Sequence, residues 1–594
     1  MASNKKIPIS NLSSIIKRYF NKTMALILVF FISTILLTLS FYNNSFEVAD
    51  ISTFRSWQND SESLVIGRMI QSRQAGLGAD YGLLQRDPNW SESNRFITGE
   101  HVNTLHVYTA QVGLQGLAFG IIDRFVPLNS SDTLKLLYFM NSLLLAIFIV
   151  LVAFWATKQL NLLSGLFIII GCILSPWLVF SAKNLYWVLW TMLLPFATIL
   201  YLQWLESGSV KINQWIFGLA AFITVFIKTA CGFEFISSIL ISIEIPVIYY
   251  AIREKWNIKR YIYRSLFIGA GGILAFTTTF CINIWQRIMF FGNFNIAWED
   301  LLYNISKRTG AFNVEVEQVY KNSLEQSILK IINTYLFEGN SLVLDFRMAE
   351  MILLLIILTS GLLILQKYFP SIKEERNKLA PLVIAAYISL LAPISWLILA
   401  KGHSFIHVSI NYLLWYLPSV LLILALCGAV ISLIFKNIWI KPHNSLQRCF
   451  IVICVILISI LPIYRYYQAW DWKQNTQQVE QALNDGTSLY KDESFELVYY
   501  ENALFYKADK SSDVYRSFFL HIIPINIDDL PQDRMEQGYD NRDFAFANSR
   551  IRLPIWKTYY IARVNLPDYE IEQISTGQFS DSTRFWETSV ALVD

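Results

Sequence analysis

The sequence predicts an all-α polytopic membrane domain followed by a small C-terminal α/β domain. The chain of 594 residues is 54% hydrophobic and 16% charged, and its mean hydropathy is +0.41, so a water-soluble surface cannot cover it. Long apolar runs recur from residue 24 to residue 466 and then stop. Residues 471–594 carry 12 Lys/Arg against 21 Asp/Glu, whereas the rest of the chain carries 36 against 24. The net negative charge of the tail therefore argues against nucleic acid as its partner.

The apolar runs divide the chain into a membrane domain, residues 1–466, and a tail domain, residues 467–594. About eleven runs are long enough to cross the roughly 30 Å hydrocarbon core. They are residues 24–42, 133–156, 161–182, 187–205, 214–229, 235–252, 265–287, 350–366, 380–400, 412–435 and 449–466.

Basic residues predict the orientation, because Lys and Arg accumulate in cytoplasmic segments. Basic clusters in 1–23, 253–264, 373–378 and 436–448 all fall on one side of the membrane under this count. The first span then acts as a retained signal anchor with a cytoplasmic N-terminus. Loops 43–132 and 288–349 and the whole tail lie on the outer face. We expect a multi-pass protein of a bacterial plasma (inner) membrane.

Residues 108–126 are apolar enough to suggest a twelfth span, but they carry Gln111, Gln115, Asp123 and Arg124. A span here would move three later basic clusters to the outer side. We therefore expect a juxtamembrane helix in the outer interface.

The tail contains strand-like runs, FELVYY, SFFLHIIPINI and KTYYIARVNL, separated by turn signals such as NDG and DLPQD. Residues 470–490 have a helical pattern. A small domain of mixed helix and strand follows from these signals.

Two carboxylates, Asp60 and Glu62, stand at the start of a predicted amphipathic helix over Asn59–Ile70, with Leu64, Met69 and Ile70 on its apolar side. Acidic residues in a first helical turn often only cap the helix and offset its dipole. The other polar residues on the same predicted face favour a functional role.

These further residues lie near the outer ends of apolar runs. A single lysine at such an end ordinarily extends its charge into water, but several charges on the face that holds the acidic pair indicate a site. The residues are Lys183, Lys228, Glu234, Lys401, His403 and His407.

His403 and His407 are four residues apart, so one helix face could present both imidazoles to a metal. No third ligand of matching pattern follows, and hydrogen bonding to a phosphate or a sugar is an equal alternative. The six cysteines show no CxxC pair and support neither a disulfide framework nor a zinc site. A divalent cation remains an open expectation.

The order of these features resembles the GT-C superfamily of polytopic glycosyltransferases, which includes protein O-mannosyltransferases and lipid A aminoarabinose transferases. The residues that carry the likeness are an acidic motif heading a helix, DSESLVIGR, the segment YTAQVGLQGLAFGIIDRF, and a third span that ends in LSPWLVFSAKNLYW. The likeness is clearest over residues 24–205. It implies a sugar donor on a polyprenyl phosphate, an acceptor that is a glycan, lipid or protein, and a catalytic carboxylate in the first outer loop.

Carried over, the catalytic role falls on Asp60, with Glu62 as its rival, because Ser61 separates two acids that many members have adjacent. Lys183 matches a position where relatives often have a polar or basic residue, and Arg68 ends the acidic motif and is expected to bind substrate. An ionised carboxylate would accept the proton of the incoming hydroxyl. Cations such as Lys183, Lys228 and Lys401 would stabilise the leaving phosphate. One essential carboxylate fits inversion at the anomeric carbon.

Two alternatives stay open at this point. A polymerase or ligase of lipid-linked glycans would also use basic outer loops, but it would not need the helix headed by acids. A transporter or flippase of a lipid-linked substrate predicts internal repeats and charges near the bilayer midplane, and the sequence shows neither.

Overall fold

A computed structural model describes residues 9–46, 48–49, 54, 57–86, 92–312, 314–338, 341–344, 346–368, 372–435, 471–491, 495–501, 503–509, 519–524, 543–546, 549–551, 559–565, 571–577 and 584–588. Most of these residues are helical, and short strands occur between residues 84 and 108 and in the tail. The contacts within the chain separate two units. The first comprises Met1–Ala49, Ser61–Arg86 and Arg95–His443, and the second comprises Asp50–Asp60, Asp87–Asn94 and Asn444–Asp594.

The α-helices of the described residues are, in chain order, α1 (Ile9–Asn43), α2 (Asn59–Ala75), α3 (Glu92–Thr98), α4 (Leu114–Phe125), α5 (Ser130–Gln159), α6 (Leu162–Ile173), α7 (Pro176–Ser181), α8 (Trp190–Ser207), α9 (Gln214–Cys231), α10 (Ile236–Ser242), α11 (Ile245–Arg253), α12 (Ile258–Phe291), α13 (Phe294–Thr309), α14 (Gln318–Glu325), α15 (Ile328–Asn333), α16 (Met348–Tyr368), α17 (Ile372–Ser389), α18 (Leu391–Leu399), α19 (Lys401–Ile406), α20 (Val408–Asn411), α21 (Ser419–Ile434) and α22 (Asp471–Asp485).

The strands are β1 (Leu84–Arg86), β2 (His106–Tyr108), β3 (Thr487–Lys491), β4 (Phe495–Tyr500), β5 (Ala503–Asp509), β6 (Phe519–Pro524), β7 (Asp543–Phe546), β8 (Ser549–Ile551), β9 (Tyr559–Asn565), β10 (Ile571–Gly577) and β11 (Arg584–Thr588).

Six helices among the described residues are long and apolar enough to cross a membrane, which makes this a membrane protein. They are Leu26–Asn43, Ser130–Gln159, Gln214–Cys231, Ile236–Arg253, which joins α10 to α11, Ile258–Phe291, and Arg376–Leu399, which joins α17 to α18. A seventh candidate joins Val408–Tyr416 to Ser419–Ile434 through a bend of 45°. The predicted segment 449–466 lies outside the described residues. The count of about eleven spans stays a prediction.

The predicted span 161–182 is not one continuous helix. Helix α6 has 12 residues and ends at Ile173, and α7 begins at Pro176. The Ser175 hydroxyl accepts a hydrogen bond from the Leu178 N–H at 3.4 Å and so caps the start of α7. Pro176 has no backbone N–H and cannot make the hydrogen bond that would extend α6. The chain therefore breaks close to the place where Lys183 follows.

The long helices of the first unit pack against one another. Helix α9 packs against α12, α5 packs against α1 and α6, and α6 packs against α21. Helix α10 lies against α18, and α11 lies against α17. The first and second halves of this unit are thus joined by contacts between helices far apart in sequence.

Helices α2 and α4 pack against each other through small residues. An added Cβ at Gly116 would lie 2.9 Å from the Arg68 Cγ, and one at Gly120 would lie 2.8 Å from the Ser72 Oγ, so α4 packs closely on α2. The Asp123 carboxylate accepts two hydrogen bonds at 2.7 Å from Arg73. Helix α4, within the predicted interfacial segment 108–126, has 12 residues and is too short to span.

The tail combines one helix with antiparallel sheets, of five strands in the order β3-β4-β5-β9-β8 and of four strands in the order β11-β10-β6-β7. The three predicted strand runs contain β4, β6 and β9, and α22 lies within the predicted helix. Val479 and Ala482 of α22 pack on Val498 and Phe505. Because every described pair is antiparallel, with short connections between β3, β4 and β5, the arrangement is α+β and not the predicted α/β.

The contact between α21 and α6 yields a stability prediction. A Cβ at Gly428 would lie 2.5 Å from the Leu163 carbonyl, whereas a Cβ at Gly361 of α16 would meet nothing within 4 Å. We expect Gly428→Ala to destabilise the fold by about 1–3 kcal/mol, because backbone must move. Gly361→Ala is the matched control and should be neutral or stabilising, because alanine favours a helix more than glycine does. Thermal unfolding in detergent measures both, and equal melting temperatures would contradict this packing.

Candidate functional site

Glu62 is buried, with 9% of its surface exposed, and joins three segments of the chain. Its Oε1 accepts a hydrogen bond from the Leu185 N–H at 2.8 Å, and its Oε2 accepts one from the Tyr138 hydroxyl at 2.9 Å. Helix α2 supplies Glu62, α5 supplies Tyr138, and the chain that follows α7 supplies Leu185. The predicted acidic helix is therefore attached to the membrane helices through this carboxylate.

Burial raises the pKa of the Glu62 carboxyl above 4.5, and the hydrogen bonds from Leu185 and Tyr138 and the charge of Lys183 offset that effect only in part. Lys183 lies over the Tyr138 ring, with its Nζ 5.8 Å from the ring centroid. The structure thus brings together Glu62 and Lys183, which the sequence placed on the same face. A carboxylate with a raised pKa is a stronger proton acceptor than an exposed one.

The segment Lys183–Trp187 links Glu62 to a second acidic residue. The Asn184 Oδ1 accepts hydrogen bonds from the Tyr186 N–H at 2.9 Å and the Trp187 N–H at 3.1 Å, which fixes a turn. Val188, immediately after it, has a φ of 42°, a strained value for a β-branched residue. Leu185 bonds to Glu62, and the neighbouring Tyr186 side chain points to the second acid.

That second acid is Glu234, which is buried. The Gln111 Nε2 donates to both Glu234 oxygens at 3.0 Å and also to the Tyr186 hydroxyl. Lys228, at the end of α9, donates its Nζ to the Gly232 carbonyl at 2.7 Å, and its charge interacts with Glu234. Lys228 and Glu234 are therefore close together, as the sequence predicted.

Helices α12 and α13 add charges that the sequence pattern did not place here. The Arg308 Nη2 donates to the Tyr108 hydroxyl at 3.1 Å and lies 3.6 Å from the Glu234 Oε1. Asp300 accepts from the Thr109 hydroxyl at 2.6 Å and forms an ion pair with Arg287. The C-terminal end of α12 and helix α13 are thereby attached to β2 and the chain after it.

Lys307 is partly buried beside these residues. Its Nζ lies 5.0 Å from the Tyr303 ring centroid and 5.7 Å from that of Tyr320, and it makes no hydrogen bond within the part of the chain that the structure describes. Burial, together with the charge of Arg308, lowers the pKa of Lys307 to about 8. An anion bound beside Lys307 would offset both the cost of burying its charge and the repulsion from Arg308.

We call these residues the loop cluster. It contains five cations and four carboxylates, of which Glu317 is exposed and contacts the Tyr303 hydroxyl. Its charged members are Glu62, Lys183, Lys228, Glu234, Arg287, Asp300, Lys307, Arg308 and Glu317.

The predicted histidine pair lies beside the loop cluster. The rings of His403 and His407 are 4.7 Å apart, and His403 packs edge to face on Phe235 and Trp396. Burial lowers the pKa of His403 well below 6.5, and His407 and Arg308 lower it further. Among the described residues no group of three or more His, Cys, Asp or Glu side chains could hold a metal ion. The four described cysteines, Cys172, Cys231, Cys281 and Cys427, are free thiols.

Three predicted residues lie elsewhere. Asp60 is exposed at the start of α2. Arg68 is fully buried and donates to the Ser72 hydroxyl at 3.1 Å and the Leu77 carbonyl at 2.6 Å. Lys401 is partly exposed at the start of α19 and makes no hydrogen bond or ion pair with any described residue.

The predicted amphipathic character of the acidic helix is wrong in one respect. Leu64, Met69 and Ile70 are buried as expected, but Glu62 and Arg68 are buried too, and every residue from Glu62 to Ile70 is covered. The charged side chains of Glu62 and Arg68 are buried, and the hydrophobic pattern of the helix did not predict this.

The sequence contained a signal for one of the missed contacts. Gln111 and Gln115 were among the polar residues that argued against a membrane span over residues 108–126. In the structure both have buried polar partners. Gln111 donates to Glu234, and the Gln115 Nε2 donates to the Cys231 carbonyl at 2.8 Å. Tyr138, Arg287 and Arg308 had no such signal. They occur among ordinary helix and loop residues.

Comparison with known protein families finds no family that matches the chain, and a search of curated proteins finds no match either.

The raised pKa of Glu62 predicts a pH-dependent difference in stability between the wild type and Glu62→Gln. The folded state holds this proton more tightly than the unfolded state, whose pKa is near 4.5. The stabilisation is therefore present below pH 4.5 and is lost as pH rises through the folded pKa. We expect the melting temperature of Glu62→Gln, relative to wild type, to increase over that range and then level off. A difference independent of pH would contradict a buried, perturbed carboxyl.

Proposed function

We propose that the protein is a membrane glycosyltransferase of GT-C type, which transfers a sugar from a polyprenyl-phosphate donor to a glycan, glycolipid or protein acceptor. The observation that carries the proposal is the meeting of Glu62 with Lys183 in the first unit. This acid and this cation come from segments more than a hundred residues apart, and the turn that follows Lys183 leads through Tyr186 and Gln111 to Glu234 and Arg308.

The proposal includes the finer architecture expected from the sequence. About eleven spans form the membrane domain, the N-terminus is cytoplasmic, and the two outer loops and the tail are extracytoplasmic in a bacterial plasma membrane. The loops that carry the loop cluster would then face the compartment where envelope glycans are assembled.

Glu62 is the favoured base. An ionised carboxylate accepts about four hydrogen bonds, and Tyr138 and Leu185 supply two to Glu62 within the described chain. An acceptor hydroxyl could take a further position. As its oxygen forms a bond to the anomeric carbon, its proton passes to Glu62, and the bond from that carbon to the phosphate oxygen breaks on the opposite face. This route inverts the anomeric configuration.

The leaving phosphate takes up negative charge in this step. Lys183, Lys307 and Arg308 are the proposed stabilising cations, since charge stabilisation that grows toward the transition state lowers the barrier. Phosphate is already a good leaving group, so no second carboxylate is needed as a general acid. The step requires no metal, although a divalent cation remains compatible with it.

The first test compares the two acids of α2. We expect Glu62→Gln to reduce sugar transfer by about 10²–10⁴-fold, the usual contribution of a positioned base, with membrane insertion unchanged. Purified protein with a panel of polyprenyl-phosphate sugars and acceptors supplies the measurement. Glu315→Gln, an exposed carboxylate of the second outer loop, is the control.

Asp60→Asn belongs in the same assay. A loss of transfer with Asp60→Asn, together with normal transfer by Glu62→Gln, would assign the base to Asp60 and contradict the choice of Glu62.

The second test concerns the donor phosphate. We expect Lys307→Gln to raise the KM for the donor about tenfold or more and to leave the KM for the acceptor unchanged, because one charged hydrogen bond is worth roughly 1.5–3 kcal/mol. Lys321→Gln, an exposed lysine of α14, is the matched control. An unchanged donor KM in Lys307→Gln would exclude Lys307 from phosphate binding.

A further inference from the structure

A second charged surface lies apart from the loop cluster, where three helix connections meet. The connections are α5 to α6, α8 to α9 and α11 to α12. Their exposed cations, which we call the basic rim, are Lys158, Lys211, Arg253, Lys255, Lys259 and Arg260.

Contacts between side chains show that the three connections are neighbours. Arg253 donates a hydrogen bond to the Gln159 side chain, and the Arg260 Nη2 lies 3.6 Å from the Glu206 Oε2. The buried Arg264 donates to the Gln214 Oε1 at 2.6 Å and to both Glu206 oxygens at 2.8 and 2.9 Å. The three helix connections are therefore neighbours, and the cations of the basic rim form one surface.

Carboxylates do not neutralise this surface. Over residues 157–162, 205–214 and 252–264 the chain has seven cations and two acids, Glu206 and Glu254. Arg264 and Arg260 pair with these acids, the latter at 3.7 Å from the Glu254 Oε2. Within the described chain, Lys158, Lys211, Arg253, Lys255 and Lys259 form no ion pair, because Arg253 donates only to the neutral Gln159 and Tyr249 side chains. Five exposed positive charges are therefore left for an external anion.

Apolar surface borders the basic rim directly. Ile258 and Ile262 follow on α12 with 66% and 48% of their surface exposed, and Trp215 at the start of α9 is 72% exposed. The Arg260 guanidinium also lies 4.0 Å from the Trp256 ring centroid. Cations next to tryptophan and exposed aliphatic residues, at the ends of helices long enough to span, match the transition from lipid headgroups to acyl chains.

We propose that the basic rim binds anionic glycerophospholipid headgroups, such as phosphatidylglycerol, in the leaflet that it faces. The exposed apolar border selects a lipid over a soluble phosphate, because the acyl chains would cover Ile258, Ile262 and Trp215 while the phosphodiester contacts the lysines. Each lysine close to an anionic surface contributes about 1 kcal/mol, which is about fivefold in affinity. This inference does not depend on the proposed transferase activity.

The test uses full-length protein in nanodiscs that contain phosphatidylcholine and phosphatidylglycerol. Native mass spectrometry of the released protein counts the lipids retained. We expect the wild type to retain phosphatidylglycerol in preference to phosphatidylcholine, and the triple variant Lys211→Gln/Lys255→Gln/Lys259→Gln to lose that preference by on the order of a hundredfold. The matched control replaces three exposed lysines outside the rim, Lys135, Lys321 and Lys330, with Gln and should keep it.

Folding is checked separately by thermal unfolding in phosphatidylcholine alone, where the wild type and both triple variants should agree. If the rim variant unfolds at a lower temperature than the wild type, the lipid preference of the wild type is measured at increasing salt concentrations instead. Salt screens the lysines and must therefore weaken the preference for phosphatidylglycerol. Equal retention of both lipids by the wild type would overturn the proposal and leave the lysines a role in topology only. Equal stabilisation by soluble glycerol 3-phosphate would also overturn it.

Discussion

The buried Glu62 carboxylate is the interaction on which the site depends. A buried charge is costly unless it is hydrogen-bonded, and the Leu185 N–H and the Tyr138 hydroxyl supply those bonds. Because the turn at Lys183–Trp187 also carries Tyr186 to Gln111 and hence to Glu234, one carboxylate sets the relative positions of α2, α5 and the second acid.

The sequence predicted features that local physics determines. Acidic residues before an apolar segment favour a helix start at Asn59. The break at Ser175 and Pro176 was not predicted, because the apolar run 161–182 was interpreted as one continuous span. Charged residues at the ends of apolar runs avoid hydrocarbon, so Lys183, Lys228 and Glu234 could be assigned to one face before their contacts were known. The strands and helix of the tail follow from alternation and turn residues in the same way.

Other features could not be predicted because they depend on contacts distant in sequence. Gln111 meets Glu234 across 123 positions, and Arg308 meets Tyr108 across 200. Polar loop residues such as Arg308 and Lys307 have no periodic pattern that indicates a partner. Asp60 and Glu62 have the same chemistry and nearly the same position, and only the packing around α2 makes one buried and the other exposed.

The most direct measurement is a cryo-electron microscopy map of the full-length protein with polyprenyl phosphate bound. The account predicts that the phosphate contacts Lys307 or Lys183, in the same polar region as Glu62 and away from the basic rim. A phosphate bound at a place that none of the loop cluster residues reaches would contradict it.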